Sequence, residues 1–175
     1  MSDKKRILAK SRIAKRVGEL GRRITADYAG KPLVLIGILN GAFMFLADLC
    51  RHIDLPLEID FIRAASYGSC SVSSGSINIT KDIELPLADK HVLLVEDIVD
   101  TGRTLLCLKQ HILTKNPASL KICALLDKKE RREVAVAVDY LGFEIEKGFL
   151  VSYGLDYAEF HRNYPEIYHL LAPEK

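Results

Sequence analysis

The chain carries three carboxylates and a phosphate-sized turn within fifteen residues, V-L-L-V-E-D-I-V-D-T-G-R-T-L-L over 92–106. Val92 to Val95 form a continuous apolar run, which fits a strand covered on both faces of a parallel sheet better than one half exposed to water. Glu96 and Asp97 follow at the expected carboxyl end of that strand, where open α/β sheets bind their ligands. Asp100, Thr101, Gly102, Arg103 and Thr104 come next, and Leu105, Leu106, Leu108, Ile112 and Leu113 then recur at helical spacing. Gly102 permits a tight backbone, while the hydroxyls of Thr101 and Thr104 and the free N–H groups of an opening helix can surround a phosphate. Neither G-x-x-x-x-G-K-[ST] nor G-x-G-x-x-G is present here, so the loop is neither a P-loop nor a dinucleotide fingerprint. Carboxylates beside a phosphate need their charge offset or hydroxyls to bind, and a ribose phosphate with Mg²⁺ meets both conditions.

At these residues the chain resembles the type I phosphoribosyltransferases, whose hallmark is an apolar strand, two acidic residues and a D-T-G-x-T loop. Acidic Asp100 resembles the 6-oxopurine branch, the hypoxanthine or hypoxanthine-guanine enzymes. An isolated Glu-Asp pair after a strand would ordinarily be a solvated turn, and D-T-G-R-T is what makes this pair functional. The resemblance covers about 34–171. Leu39-Asn40-Gly41 is similar to the pyrophosphate-binding loop, often built in that family around a non-proline cis peptide, although Asn40 stands where many members carry a basic residue. Ser66 and Tyr67, before a serine-rich stretch, resemble the start of a lid whose small polar residues suit closure. Lys128, ending Ala124-Leu125-Leu126-Asp127-Lys128, matches the lysine that contacts a purine 6-oxo group. F-L-V-S-Y-G-L-D-Y-A-E-F-H-R over 149–162 resembles the base-stacking and metal-binding segment, placing Phe149, Leu150 and Asp156 at the base and Arg162 at the pyrophosphate.

The resemblance implies purine salvage: transfer of the phosphoribosyl group from 5-phospho-α-D-ribosyl 1-pyrophosphate to hypoxanthine, and to guanine, giving IMP, or GMP, and pyrophosphate. Glu96 and Asp97 would engage the ribose hydroxyls and Mg²⁺, with Asp156 serving a second ion. Asp100 to Thr104 would hold the 5-phosphate, and Asp100 would be the general base toward purine N7. A regulatory protein that kept the fold and lost turnover, or a transferase for another base, are the alternatives. Without the resemblance, Lys128 opens a charged run, Lys129 to Arg132, of the kind that is usually a soluble connection, and Phe149 is as much a core aromatic as a base-stacking one.

The elements that must position these residues follow from periodicity. Ile13, Val17, Leu20, Ile24 and Tyr28 mark an N-terminal helix, followed by strand 33–39, helix 42–51 and an extended segment 57–65. After the serine-rich stretch come strand 92–95, helix 104–114, strand 120–126, and short strands near 134–138 and 149–153. Such alternation predicts an α/β fold, a parallel twisted sheet with helices on both faces. Taken with the resemblance it implies one domain, 1–175, whose chain ends form a small hood over the base. At 175 residues and 49% hydrophobic content the chain can bury a full core.

Composition narrows the partners. A net charge of +2 gives no basic field for nucleic acid. No apolar run approaches a membrane span or a secretory signal, so a cytoplasmic protein is expected. Cys50, Cys70, Cys107 and Cys123 form no C-x-x-C pair, which argues against zinc, and a reducing compartment would keep all four as thiols. The five histidines are scattered and carry no expected role. The resemblance adds an expected homodimer or homotetramer.

Overall fold

The computed structural model describes residues 4–64 and 78–171. Ser66 and Tyr67 lie outside the described residues. The order is β1 (Lys4–Leu8), α1 (Lys10–Asp27), β2 (Leu33–Ile38), α2 (Phe43–Cys50), β3 (Leu57–Ala64), β4 (Ile79–Lys81), β5 (His91–Val99), α3 (Arg103–Leu113), β6 (Ser119–Lys128), β7 (Tyr140–Ile145), β8 (Leu150–Val151) and β9 (Ile167–Leu170).

Six strands form one sheet in the order β4-β3-β2-β5-β6-β7, parallel throughout except for β4 at one edge. Successive side chains of a strand face opposite ways, and here both faces are covered. Leu35, Leu93 and Val95 pack with Ile13, Val17 and Ile24 of α1 and Phe45 and Leu49 of α2. Val34, Ile36, Val92 and Leu94 pack with Leu105, Leu108 and Ile112 of α3 on the other side. The predicted α/β architecture is therefore the observed one.

The order of strands locates the crevice. From β2 the chain crosses to β3 on one side, whereas β5, on the other side of β2, leads away through β6 to β7. The connections after β2 and β5 diverge, so the carboxyl ends of these two adjacent strands form the topological switch point.

A separate three-stranded sheet, β1-β9-β8, is antiparallel and draws on both ends of the chain, with Lys4 opposite Leu170 and Leu150 opposite His169. Three expectations are corrected. The strand expected over 92–95 runs to Val99, because Glu96, Ile98 and Val99 stay in register with Ala124, Leu126 and Asp127 of β6. Residues 134–138 form no strand; their alternation records Val136 and Val138 packing on the α3-side core, and the edge strand is β7. Cys50 and Cys123 are free thiols, but Cys107 is disulfide-bonded. Among the described residues no helix is long and apolar enough to cross a membrane.

Candidate active site

A cavity of about 740 Å³ opens at the switch point. The sequence-predicted residues lining it are Leu39, Asn40, Gly41, Glu96, Asp97, Asp100, Thr101, Gly102, Thr104, Asp156 and Arg162. The end of β5 and three loops, after β2, after β5 and after β8, bring them together.

Glu96 and Asp97 sit inside β5 rather than after it, and both are buried. The Asp97 N–H donates to Glu96 Oε1 at 3.1 Å, and the Ile98 N–H donates to Asp97 Oδ1 at 2.8 Å. Burial, together with the neighbouring carboxylate, pushes the Glu96 carboxyl well above its usual range. Burial raises Asp97 as well, against hydrogen bonds and the nearby Arg162 charge. Among the described residues no cationic side chain forms an ion pair with either acid, and no three His, Cys, Asp or Glu side chains gather as a protein-only metal site. Two hard carboxylate donors of this kind suit a Mg²⁺ ion whose remaining ligands are waters and substrate oxygens.

The loop after β2 meets this pair directly. Its Leu39–Asn40 peptide is cis. Gly41 is required by space, since a Cβ there would fall on the Asp97 carboxylate, 2.6 Å from Cγ. Gly154, at φ 99°, closes the contact from the third loop, and a Cβ on it would strike the Gly41 carbonyl. Side-chain-free backbone thus lets all three loops converge.

Beyond Val99 the chain turns at Gly102, whose left-handed φ of 85° caps α3. Its missing side chain also leaves room for the Val134 carbonyl, which a Cβ would approach to 2.6 Å. The Arg103 N–H donates to Thr101 Oγ1 at 3.3 Å, and the first turn of α3 holds no acidic residue. Orphan amides, the positive end of the helix dipole and two threonine hydroxyls make this a concave anion cradle. Arg103 does not line it: its guanidinium pairs with Glu133.

Asp100 stands at the cradle's entrance. Its Oδ2 lies 3.5 Å from Lys128 Nζ and 3.6 Å from Arg131, while its Oδ1 is buried without a hydrogen-bond partner among the described residues. Lys128, buried at the end of β6, also donates to the Gly148 carbonyl at 3.4 Å. It therefore bridges Asp100 to the turn that carries Phe149. Phe149 is 45% exposed and meets Tyr157 edge-on, with ring centroids 5.6 Å apart. Leu150 is instead buried in the core shared with α1 and α2.

Arg162 is held by its own loop. It donates to the Gly154 carbonyl at 2.8 Å and pairs at 2.9 Å with both Asp156 and Glu159. Asp156 also accepts the Glu159 N–H at 2.9 Å. Glu159, Arg63, Ala64 and Thr80 line the cavity as well and were not singled out from the sequence. The carboxyl-end rule applied to β3, as it was to β5, would have pointed to Arg63 and Ala64.

Residues 3–158 match the phosphoribosyl transferase domain. The chain belongs to that family. Among curated relatives it is 47% identical over 160 residues to the hypoxanthine phosphoribosyltransferase of Haemophilus influenzae, covering 90% of this chain and 89% of that one. It is 46% identical over 165 residues to the hypoxanthine-guanine phosphoribosyltransferase of Aquifex aeolicus, covering 94% and 93%. Among solved structures, a hypoxanthine-guanine phosphoribosyltransferase from Bacillus anthracis, with HEPES in its active site, superposes with a TM-score of 0.90 at 41% identity, covering 98% of this chain and 99% of that one. The crevice, the acid pair and the D-T-G-R-T loop all lie within the residues that match this family.

Proposed function

We propose that this phosphoribosyltransferase acts in purine salvage, moving the phosphoribosyl group of 5-phospho-α-D-ribosyl 1-pyrophosphate onto hypoxanthine and guanine to give IMP and GMP. The observation that carries this reading is the placement of Asp100 and Lys128, a carboxylate and an ammonium 3.5 Å apart at the mouth of an anion cradle. A 6-oxopurine presents its O6 and N7 on one edge. Lys128 donates to O6, and Asp100 takes the N7 proton as the ring attacks. The exposed face of Phe149 offers the base a stacking surface.

The 5-phosphate rests on the Thr101 to Thr104 backbone and hydroxyls. Glu96 and Asp97 hold the ribose hydroxyls and would hold Mg²⁺, and Asp156, once released from Arg162, would serve a second ion. Bound Mg²⁺ supplies charge neutralisation on the departing pyrophosphate. As the C1–oxygen bond to pyrophosphate breaks and the bond to N9 forms, positive charge grows on the sugar ring, and the carboxylates beside it stabilise that charge. Arg162 and the backbone of Leu39, Asn40 and Gly41 receive the pyrophosphate.

The chain acts as one domain, with the β1-β9-β8 sheet as a hood on the base side. Its substrates are soluble metabolites, which suits the cytoplasm. We infer a dimer or tetramer, the assembly that the family resemblance implies, to be measured by light scattering.

The deciding experiment is a steady-state assay with 5-phospho-α-D-ribosyl 1-pyrophosphate, Mg²⁺ and hypoxanthine, guanine, xanthine or adenine in turn. Mg²⁺-dependent IMP and GMP formation, with adenine unused, is the expected result. Tight sugar-pyrophosphate binding without turnover on any base would reassign the chain to a regulatory role.

A further inference from the structure

The charged run Lys128-Lys129-Glu130-Arg131-Arg132-Glu133 reads in sequence as a solvated connection, yet its side chains are engaged one after another. Lys129 pairs with Glu144 at 3.3 Å, Glu130 accepts the Gly148 N–H at 3.0 Å, and Glu133 pairs with Arg103. Arg132 is the centre of the set and is largely buried. Its Nε donates to the Asp100 carbonyl at 2.9 Å, and one terminal nitrogen donates to the Val99 carbonyl at 3.1 Å and the Lys128 carbonyl at 3.4 Å. That same nitrogen forms an ion pair with Asp127. One planar guanidinium therefore ties the end of β5, the backbone of Asp100, and the end of β6 from which Lys128 projects.

We propose that Arg132 is a positioning residue for base recognition and proton transfer, fixing the gap between the Asp100 carboxylate and the Lys128 ammonium through their backbones. This rests on the reading of Asp100 and Lys128 given above. The planar fork matters because several acceptors in different directions must be held together, which a lysine ammonium on a flexible stem does not do. The phosphate end of the same loop has its own tether: the Thr101 carbonyl accepts the N–H groups of Glu133 and Val134, both at 3.0 Å. Loss of Arg132 should therefore disturb the groups that face the base and leave the phosphate cradle in place. A role confined to folding would weaken stability with no such selectivity.

The test compares the wild type with Arg132→Lys, which keeps a positive charge for Asp127 but reaches fewer carbonyls, and with Asp127→Asn, which keeps the guanidinium and removes its anchor. Circular dichroism and melting establish the folded fraction, and kinetic constants are taken per folded enzyme. For Arg132→Lys we expect kcat with hypoxanthine to fall at least tenfold, KM for the sugar pyrophosphate to stay within about threefold, and the preference for hypoxanthine over adenine to shrink at least fivefold. Asp127→Asn should move kcat and preference the same way by a smaller factor, and it decides the matter if Arg132→Lys does not fold. Unchanged kcat and base preference in the folded variant, or a loss seen only in melting temperature, would overturn the proposal. A wild type inactive on every base would instead defeat the functional reading on which it rests.

Discussion

The two halves of the crevice are built by different means. On the sugar-phosphate side, Glu96, Asp97 and the D-T-G-R-T loop are set by a nine-residue buried strand and the helix that follows it, and Gly102 is the left-handed turn between them. In the loop after β8, proposed to meet the base and the pyrophosphate, Ser152, Tyr153, Ala158, Glu159 and His161 all take positive φ without being glycine. Such residues persist only where surrounding contacts over-determine them. Here those contacts are the Tyr153 N–H to the Tyr164 carbonyl, the Gly154 N–H to the Arg162 carbonyl, and the Arg162 guanidinium back to the Gly154 carbonyl, each 2.8 to 2.9 Å. A regular frame can hold a fixed ligand such as phosphate with backbone alone. A strained loop holds a shape that regular structure does not offer, and it needs its own side chains to do so.

Substitutions that strike one half should therefore leave the other measurable. The largest effect is expected from Asp100→Asn, which removes the proposed base but no cradle donor: kcat should fall by about 100-fold or more, with sugar-pyrophosphate affinity by calorimetry nearly unchanged. Lys128→Ala should lower kcat/KM for hypoxanthine by about 10- to 100-fold, the worth of a charged hydrogen bond, and erase discrimination against adenine in competition assays. Gly154→Ala joins the two halves in one lesion. A left-handed alanine that overlaps the Gly41 carbonyl should cost about 2 kcal/mol or more in chemical denaturation, and activity should fall with it.

Asp60 probes the frame alone. Its burial would raise its pKa, but the N–H groups of Leu85, Phe61 and Glu84 and the Lys81 ammonium outweigh that and hold it at about 2, against an ordinary 3.8. A depressed carboxylate stabilises the fold above its unfolded pKa and loses that contribution as pH falls through the folded one. Asp60→Asn should thus cost about 2 kcal/mol at neutral pH, and the difference from wild type should close between pH 4 and pH 2 in acid-denaturation curves. The smallest effect belongs to the strained half. Ser152 is buried with φ 86° and a hydroxyl lacking a partner among the described residues, so Ser152→Gly should raise stability by about 1 kcal/mol, read as a higher melting temperature.

The same division decided what could be read from the sequence. Val92 to Val95, the Glu96-Asp97 pair and the helical repeat after Gly102 are local patterns, and each lies where its pattern places it, within a few residues. The strand's true end at Val99 was hidden because two acids mask its continuation, which the β6 register supplies. β1, β4 and β9 are short, and their pairing partners are remote or lie across a long connection, so no local alternation marks them. Arg162 could be named by resemblance, but its grip on Gly154 and Asp156 depends on a run of left-handed residues that composition does not announce. Leu150 and Arg103 show the converse: both belong to segments that line the site, yet one side chain goes to the core and the other to Glu133.

The pairing of the chain's two ends has a temporal consequence. Every strand of the six-stranded sheet is present once Ile145 has been made, and with it the acid pair, the cradle and Lys128. β1 is made before the six-stranded sheet, but among the described residues its strand partner is β9, residues Ile167–Leu170. A ribosome-bound chain halted between these points would hold a complete six-stranded sheet beside an unpaired β1, and the β1-β9-β8 sheet would be the last part to come into being.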